Sequence, residues 1–221
     1  MKILNFNLER FKHNKQAILS QIESFDADII VLTETSSALN LNYTYTSVSI
    51  ASLPEFFENI KYKAGENRTT IWTRYPILKS FKTYDHLTTV CSEIQTEFGI
   101  LNVYGTIIGV FGGKGPRFEA DLQGQLNDWD KFDLEKANCI VGDLNVFFSG
   151  YAYPSHKARN TLNEAFKKLK MQNLTSEIPE NVDHIVISNE FLNGKKTAVE
   201  IFNLDKKLSD HIGICVTIFE E

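Results

Sequence analysis

The stretch CIVGDLNVFFSG, residues 139–150, runs from an apolar segment straight into two polar groups. Cys139-Ile140-Val141 is a short apolar run closed by Gly142, the pattern of a buried strand. Asp143 and Asn145 follow, two residues apart, and residues two apart on an extended chain share a face. Taken alone the pair reads as a turn, since Asp and Asn both favour turns. If the two serve chemistry instead, other apolar strands of the chain must also end on polar residues.

They do. Lys2–Phe6 runs into Asn7, with Glu9 two further on, and "DIIVLT" (28–33) runs into Glu34. "VDHIVIS" opens a strand on Asp183, and "KKLSDHIGICVTIF" sets Asp210 and His211 directly before the last apolar run. Strand ends in a sheet sandwich meet at one rim, so groups far apart in the chain can share a cleft.

Nine short β-rich runs are expected at Lys2–Leu8, Asp28–Thr33, Thr69–Thr73, Val90–Gln95, Ile100–Ile108, Asn138–Val141, His184–Ser188, Val199–Leu204 and Ile212–Phe219. Three stretches read as helices. Ile18, Ile22 and Phe25 share one face, as do Leu122, Leu126, Trp129 and Phe132, and then Leu162, Phe166 and Leu169. Residues 43–108 are mostly strand, which argues for sheets covered by outer helices and against a doubly wound parallel sheet. Long loops are expected at 52–67 and 110–118. With no repeat, linker or low-complexity tract, residues 1–221 are expected to form one domain.

Composition limits the function. The chain has 221 residues, 43% of them hydrophobic, with 23 basic against 28 acidic side chains and a net charge of −5. That balance is no footprint for coating nucleic acid. It leaves room for an enzyme that meets phosphate through bound divalent cations. Cys91, Cys139 and Cys215 lie far apart in apolar surroundings and read as reduced core thiols. No apolar run is long enough to span a membrane, and the N-terminus carries charges by Glu9. A soluble cytoplasmic monomer is expected.

Carboxylates with one histidine and no thiolates select hard cations, Mg²⁺ or Mn²⁺, rather than zinc. An added acid can orient water, and an amide or imidazole can stabilise developing charge. The sum is metal-assisted phosphoester hydrolysis.

Six segments together resemble the endonuclease/exonuclease/phosphatase superfamily, the deoxyribonuclease-I-like fold. "LNFNLE" is similar to its W-N-I opening, "DADIIVLTET" to its metal-binding segment, and "TRYPI" to its S-R/K-x-P-I. "IVGDLNV" resembles GD-x-N, "VDHIVIS" resembles D-Y-I-F-x-S, and "LSDHIGICVTI" resembles the closing S-D-H, all in family order. The resemblance implies a four-layer α/β sandwich of two mainly antiparallel sheets packed face to face, helices outside. It implies that Glu34 binds Mg²⁺ or Mn²⁺, with Asn7 and Asp210 contributing directly or through water, and Glu9 standing where one branch has a second metal-binding acid. Asp143 would position or activate the attacking water, and Asn145 would contact the scissile phosphate. His211 would stabilise the phosphorane or protonate the leaving group, oriented by Asp183.

The chain departs from the pattern after the central strand. Where many members have a histidine, "VYGTIIG" puts Ile107; Tyr104 in the same strand is the candidate for the tyrosine of the exonuclease III branch. Arg117, after "GGKGP", and Arg68 are candidate substrate-binding charges. A nuclease-type phosphodiesterase is the leading expectation, with nucleic acid among the candidate substrates. A small-molecule or lipid phosphoesterase and a catalytically silent binding module of the same fold are the alternatives.

Overall fold

The computed structural model describes residues 1–41, 45–49 and 53–220. The expected strand-rich stretch 43–108 and loop 52–67 thus fall partly outside the described residues, at 43, 44 and 50–52.

Two six-stranded sheets form the frame. The first sheet contains β1 (Lys2–Asn7), β2 (Ile29–Ser36), β3 (Thr46–Ser49), β6 (Glu66–Thr73), β13 (Lys195–Phe202) and β14 (Gly213–Glu220), in the order β13-β14-β1-β2-β6-β3. The second contains β7 (Ile77–Phe81), β8 (Val90–Thr96), β9 (Gly99–Ile107), β10 (Ala137–Asp143), β11 (Met171–Asn173) and β12 (Asp183–Ser188), in the order β11-β12-β10-β9-β8-β7. Each sheet is antiparallel except at one central pair, β1/β2 and β9/β10. Parallel neighbours need a crossover. Helix α1 (Lys15–Ser24) lies within the first and α2 (Pro116–Trp129) within the second. Helix α3 (His156–Lys168) follows β10, and α4 (Asn189–Leu192) follows β12.

Alternation within the strands builds the layers. Ile3, Ile29, Val31, Ile71, Leu101, Val103, Cys139, Val141, Ile185 and Ile214 fill the space between the sheets. The opposite parity, with Leu4, Phe6, Ile30 and Leu32, packs under Ile18 and Ile22 of α1. Tyr104, Ile140 and Val186 pack under Phe118 and Trp129 of α2 and Leu162 and Phe166 of α3. The result is a layered α/β sandwich. The three cysteines are free and buried. Among the described residues no helix is long and apolar enough to cross a membrane.

All nine expected strands and three expected helices form. Two local expectations differ. The 52–67 stretch carries a small hairpin, β4 (Phe56–Phe57) against β5 (Ile60–Lys61), before β6 begins at Glu66. Its two turn residues, Glu58 and Asn59, both take left-handed φ values of 52° and 63°, as the favoured two-residue hairpin turn requires. In α2 the buried side is partly polar. Leu122 and Leu126 are only half-buried, while Asp121, Gln125 and Asp128 are buried. Those three bond the strand end beneath them: Gly109 N donates to Asp121 at 3.0 Å, Gln125 Nε2 donates to Ile107 O at 2.8 Å, and Tyr104 Oη donates to Asp128 at 3.0 Å. The helix begins at Pro116, so it absorbs the end of the expected loop 110–118.

Candidate active site

The rows of side chains that form the inter-sheet core end in polar groups at one edge. On β1 the inward row reads Ile3, Asn5, Asn7; on β10 it reads Cys139, Val141, Asp143; on β12 it runs Ile187, Ile185, Asp183. Register aligns the ends, since Asp143 pairs with Asp183 across β10 and β12. Gly142 makes this approach possible. Its φ is 147°, and a Cβ there would lie 1.9 Å from Thr106 O on the neighbouring strand. Glu34 has the outward parity of Ile30 and Leu32, but its left-handed φ of 45° turns its carboxylate toward Asn7. Such a conformation costs a non-glycine residue about 1–2 kcal/mol.

The groups make direct contact. Asn7 Nδ2 lies 3.3 Å from Glu34 Oε1 and 3.4 Å from Asp143 Oδ2. The Asn145 backbone N–H donates to Asp143 Oδ1 at 2.9 Å, through a left-handed φ of 50° at Asn145. His211 Nδ1 lies 2.7 Å from Asp183 Oδ2, with the carboxylate of Asp183 buried. Asn181 Oδ1 accepts from Asp183 N at 3.0 Å, and Asn5 Nδ2 reaches Asp183 Oδ1 at 3.5 Å. The cleft has a volume of about 270 Å³ and is lined by Asn145, Asp183, Asp210 and His211 among others. A larger cavity, about 400 Å³ between α2 and α3, shares none of its residues.

Electrostatics separates the roles. Burial, with the nearby charges of Asp183 and Glu34, pushes the Asp143 carboxyl up to about 7, against the pull of His211. Burial alone would lower His211; the charge and hydrogen bond of Asp183, with the charge of Asp143, raise it to about 10. Burial and the charge of Asp210 raise Glu34, while the Asn7 contact lowers it. Glu9 behaves differently. Burial would raise it, but bonds from Lys12, His13 and the Asp210 N–H hold it at about 2.

Among the described residues no three His, Cys, Asp or Glu side chains gather as an all-protein metal cage. Mg²⁺ does not need one, as it is usually held by one or two carboxylates and keeps several waters. Burial and the charge of Asp210 raise Glu34, burial and the charges of Asp183 and Glu34 raise Asp143, an amide joins the two, and among the described residues no lysine or arginine bonds either, a donor set that fits a hard cation.

Residues 4–211 match the endonuclease/exonuclease/phosphatase family. The chain belongs to this family. Solved structures share its fold at low identity. An AP endonuclease from Archaeoglobus fulgidus is 13% identical with a TM-score of 0.71, covering 98% of each chain. The endonuclease domain of TRAS1, a telomere-specific non-LTR retrotransposon, is 14% identical with a TM-score of 0.73, covering 99% of this chain and 97% of that one. A 3′-5′ exonuclease from Neisseria meningitidis is 15% identical with a TM-score of 0.67, covering 100% of both. No curated protein sequence matches the chain.

Within this family fold, the expected residues Asn7, Glu34, Asp143, Asn145, Asp183, Asp210 and His211 converge, and Glu9 joins them through the Asp210 N–H at 3.2 Å. The Glu9 carboxylate itself bonds Lys12 at 2.7 Å and His13 at 2.9 Å, so it anchors the Asp210 loop rather than pointing at Glu34. Both amide hydrogens of Asn145 are used, on Ile108 O at 3.0 Å and Gly109 O at 3.2 Å. Asn145 therefore meets a phosphate only by releasing a carbonyl.

Three expected residues are elsewhere. Tyr104 has the wrong parity: Leu101, Val103, Gly105 and Ile107 form the inward row of β9, and Tyr104 points to α2 with its hydroxyl on Asp128. Ile107, paired with Asp143, is the residue of that strand nearest the site end. Arg68 and Arg117 belong to one ion-pair network. Both bond Glu58, Arg117 Nη2 lies 2.7 Å from Asp85, and Arg117 Nε donates to Asp121 at 2.9 Å. Their guanidiniums are satisfied internally and do not line the cleft. Tyr104→Phe is thus expected to leave kcat unchanged within about twofold and to cost about 1 kcal/mol of stability from the lost hydroxyl bond. Steady-state kinetics beside urea denaturation checks both; a large fall in kcat would return Tyr104 to the chemistry.

Residues outside the expected set also hold the site. Asn181 and Asn5 fix Asp183, and buried His184 bonds Val146 O at 2.9 Å and Asn181 O at 3.1 Å. Burial lowers His184 to about 4, which keeps it a neutral strut. The Asn at position 5, at the same parity as Asn7, was the available signal.

Proposed function

We propose that residues 1–221 form one catalytic domain, a Mg²⁺- or Mn²⁺-dependent phosphodiesterase of nuclease type. One observation carries this reading: Asp143, held by Asn7 and the Asn145 N–H, faces the Asp183–His211 pair across neighbouring strands. Asp143 orients the attacking water and takes its proton. His211, kept cationic by Asp183, donates a proton to the leaving oxygen or a hydrogen bond to the charged phosphorane. Glu34 and Asn7, with Asp210 at the rim, would hold the cation, and Glu9 orients Asp210 through its backbone. A bound cation would supply positive charge to the phosphate oxygens. The fold is shared with proteins described as an AP endonuclease and a 3′-5′ exonuclease, which supports a nucleic-acid substrate. The small cleft and the net charge of −5 favour a strand end or a small ester over a long duplex.

The test is hydrolysis of single-stranded DNA, abasic duplex DNA, RNA, bis-p-nitrophenyl phosphate and a phosphocholine lipid with millimolar Mg²⁺ or Mn²⁺. Cleavage of a polynucleotide is expected. Glu34→Gln is expected to raise the Mg²⁺ needed for half-maximal rate by at least roughly tenfold. An unchanged Mg²⁺ titration would remove Glu34 from the cation site, and no cleavage of any ester would overturn the phosphodiesterase.

A further inference from the structure

Two lips of the cleft are built in contrasting ways. On one lies the loop between β13 and β14, closed by the buried amide of Asn203. Its Nδ2 donates to Ser209 O at 2.9 Å and His211 O at 2.6 Å, and its Oδ1 accepts from Leu208 N at 2.9 Å. This loop carries Lys206, whose Nζ donates to Asp210 O at 2.8 Å. Lys206 is the one lysine or arginine among the described residues lining the cleft, alongside the acids Glu180, Asp183 and Asp210. Neighbouring cations are committed elsewhere, Arg10 to Glu66 and Lys12 to Glu9. A phosphate entering this acidic cleft gains from positive charge besides any metal and the His211 imidazolium, and Lys206 is placed to supply it.

The other lip is aromatic. Phe147 and Tyr153 line the cleft with ring centroids 4.9 Å apart, and Tyr151, 62% exposed, stands edge-on to Phe147 at 5.2 Å. Arg159 of α3 holds this loop by donating to the carbonyls of Phe147 at 2.6 Å, Ser149 at 3.3 Å, Gly150 at 3.1 Å and Tyr151 at 2.6 Å. Phe147 N donates to Tyr153 O at 2.9 Å, and Gly113 N donates to Tyr153 Oη at 3.1 Å. These partly exposed rings are thus fixed in place on the cleft that His211 also lines rather than left to collapse into the core.

We infer that this cleft is a subsite for one nucleotide-like unit, with Lys206 taking a phosphate oxygen and the Phe147–Tyr153 lip stacking a planar ring. The inference rests on the phosphodiesterase reading and narrows it to esters bearing a heteroaromatic ring beside the phosphate. A cleft near 270 Å³ accommodates one such unit, not a duplex.

The experiment is titration calorimetry of the full chain with Mg²⁺, comparing AMP with ribose 5-phosphate, both monoesters of the kind diester cleavage releases. Wild-type protein is expected to bind AMP on the order of tenfold more tightly, the gain from stacking one base. Phe147→Leu and Tyr153→Leu should erase that preference and leave ribose 5-phosphate binding unchanged. Lys206→Met should weaken both ligands by a similar factor, and Lys206→Arg should restore them. Equal binding of AMP and ribose 5-phosphate by the wild-type protein, which needs no variant, overturns the stacking lip. Wild-type affinities in Lys206→Met overturn the cation's role. Both failures alongside cleavage of a polynucleotide would leave the phosphodiesterase standing without this subsite. The expected binding pattern without cleavage of any ester would leave the subsite and remove the hydrolase.

Discussion

Asp143→Asn is expected to lower kcat by on the order of 10³ while leaving the protein more stable at pH 7–8 in the absence of divalent cation. Both effects come from one feature. Asp143 is 3% exposed and its pKa rises to about 7, chiefly through burial, from an ordinary value near 4. Between pH 4 and 7 the unfolded chain has lost this proton and the folded chain retains it. Stability therefore falls as pH rises through that window, and the deficit persists above it. Asparagine removes the titration. Its carbonyl still accepts from the Asn145 N–H, and the lost contact is the long 3.4 Å one to Asn7. The expected gain is roughly 0.5–2 kcal/mol. In the wild-type protein, a base whose carboxyl sits near 7 before a cation binds and an acid protonated below about 10 would give the cation-dependent rate a bell-shaped pH profile. Cation binding moves the acidic limb down. Thermal melts across pH, beside kinetics, decide the matter: wild-type-like turnover in Asp143→Asn would end its role as base.

Most of this site was legible because strands alternate strictly. Asn7 and Asp143 continue the inward rows begun by Ile3 and Cys139, so polar residues that close apolar strands mark the rim of the sandwich. The same rule, applied to β9, would have rejected Tyr104, whose neighbours Val103 and Gly105 face inward. Family likeness led to Tyr104, whereas the strand places Ile107 at its inward end, paired with Asp143. Glu34 shows the opposite case. Its parity is outward, and only a left-handed φ brings it in, which no hydrophobic pattern encodes. Arg68 and Arg117 were misread because a sequence shows a charge without its partner, and Glu58 and Asp85 are distant from them in the chain or in other loops. Strands β3, β7 and β11 are not among the nine runs named from the sequence, although the first two fall in the strand-rich stretch 43–108. β7, whose inner residues Leu78, Lys79 and Ser80 are exposed, is an edge strand with no apolar run to betray it. Helix α2 is amphipathic in sequence, yet beside Phe118 and Trp129 its docking face carries Asp121, Gln125 and Asp128, because the carbonyl and amide at the end of β9 need partners.

Removal of either member of the Asp183–His211 pair should cost nearly as much as removal of both. On the phosphodiesterase reading His211→Ala deletes the proton donor, and Asp183→Asn leaves an imidazole without the carboxylate that orients and charges it. Each is expected to lower kcat by on the order of 10²–10⁴, with KM within a few-fold, because neither group is needed to seat the substrate. The double variant should fall little below the worse single one, as residues acting as a unit are strongly non-additive. The pH profile separates the two losses. In the wild-type protein Asp183 lifts His211 to about 10, so the rate holds until pH approaches that value. In Asp183→Asn the burial that disfavours the imidazolium remains while its countercharge is gone, so the alkaline limb moves toward neutral pH. Stability follows the same sign. A raised folded-state pKa contributes stability that is complete below about 6.5 and lost as pH climbs toward 10, and Asp183→Asn should remove that dependence. Additive losses in the double variant, or an alkaline limb unmoved by Asp183→Asn, would mean that Asp183 acts on something other than the imidazole it touches.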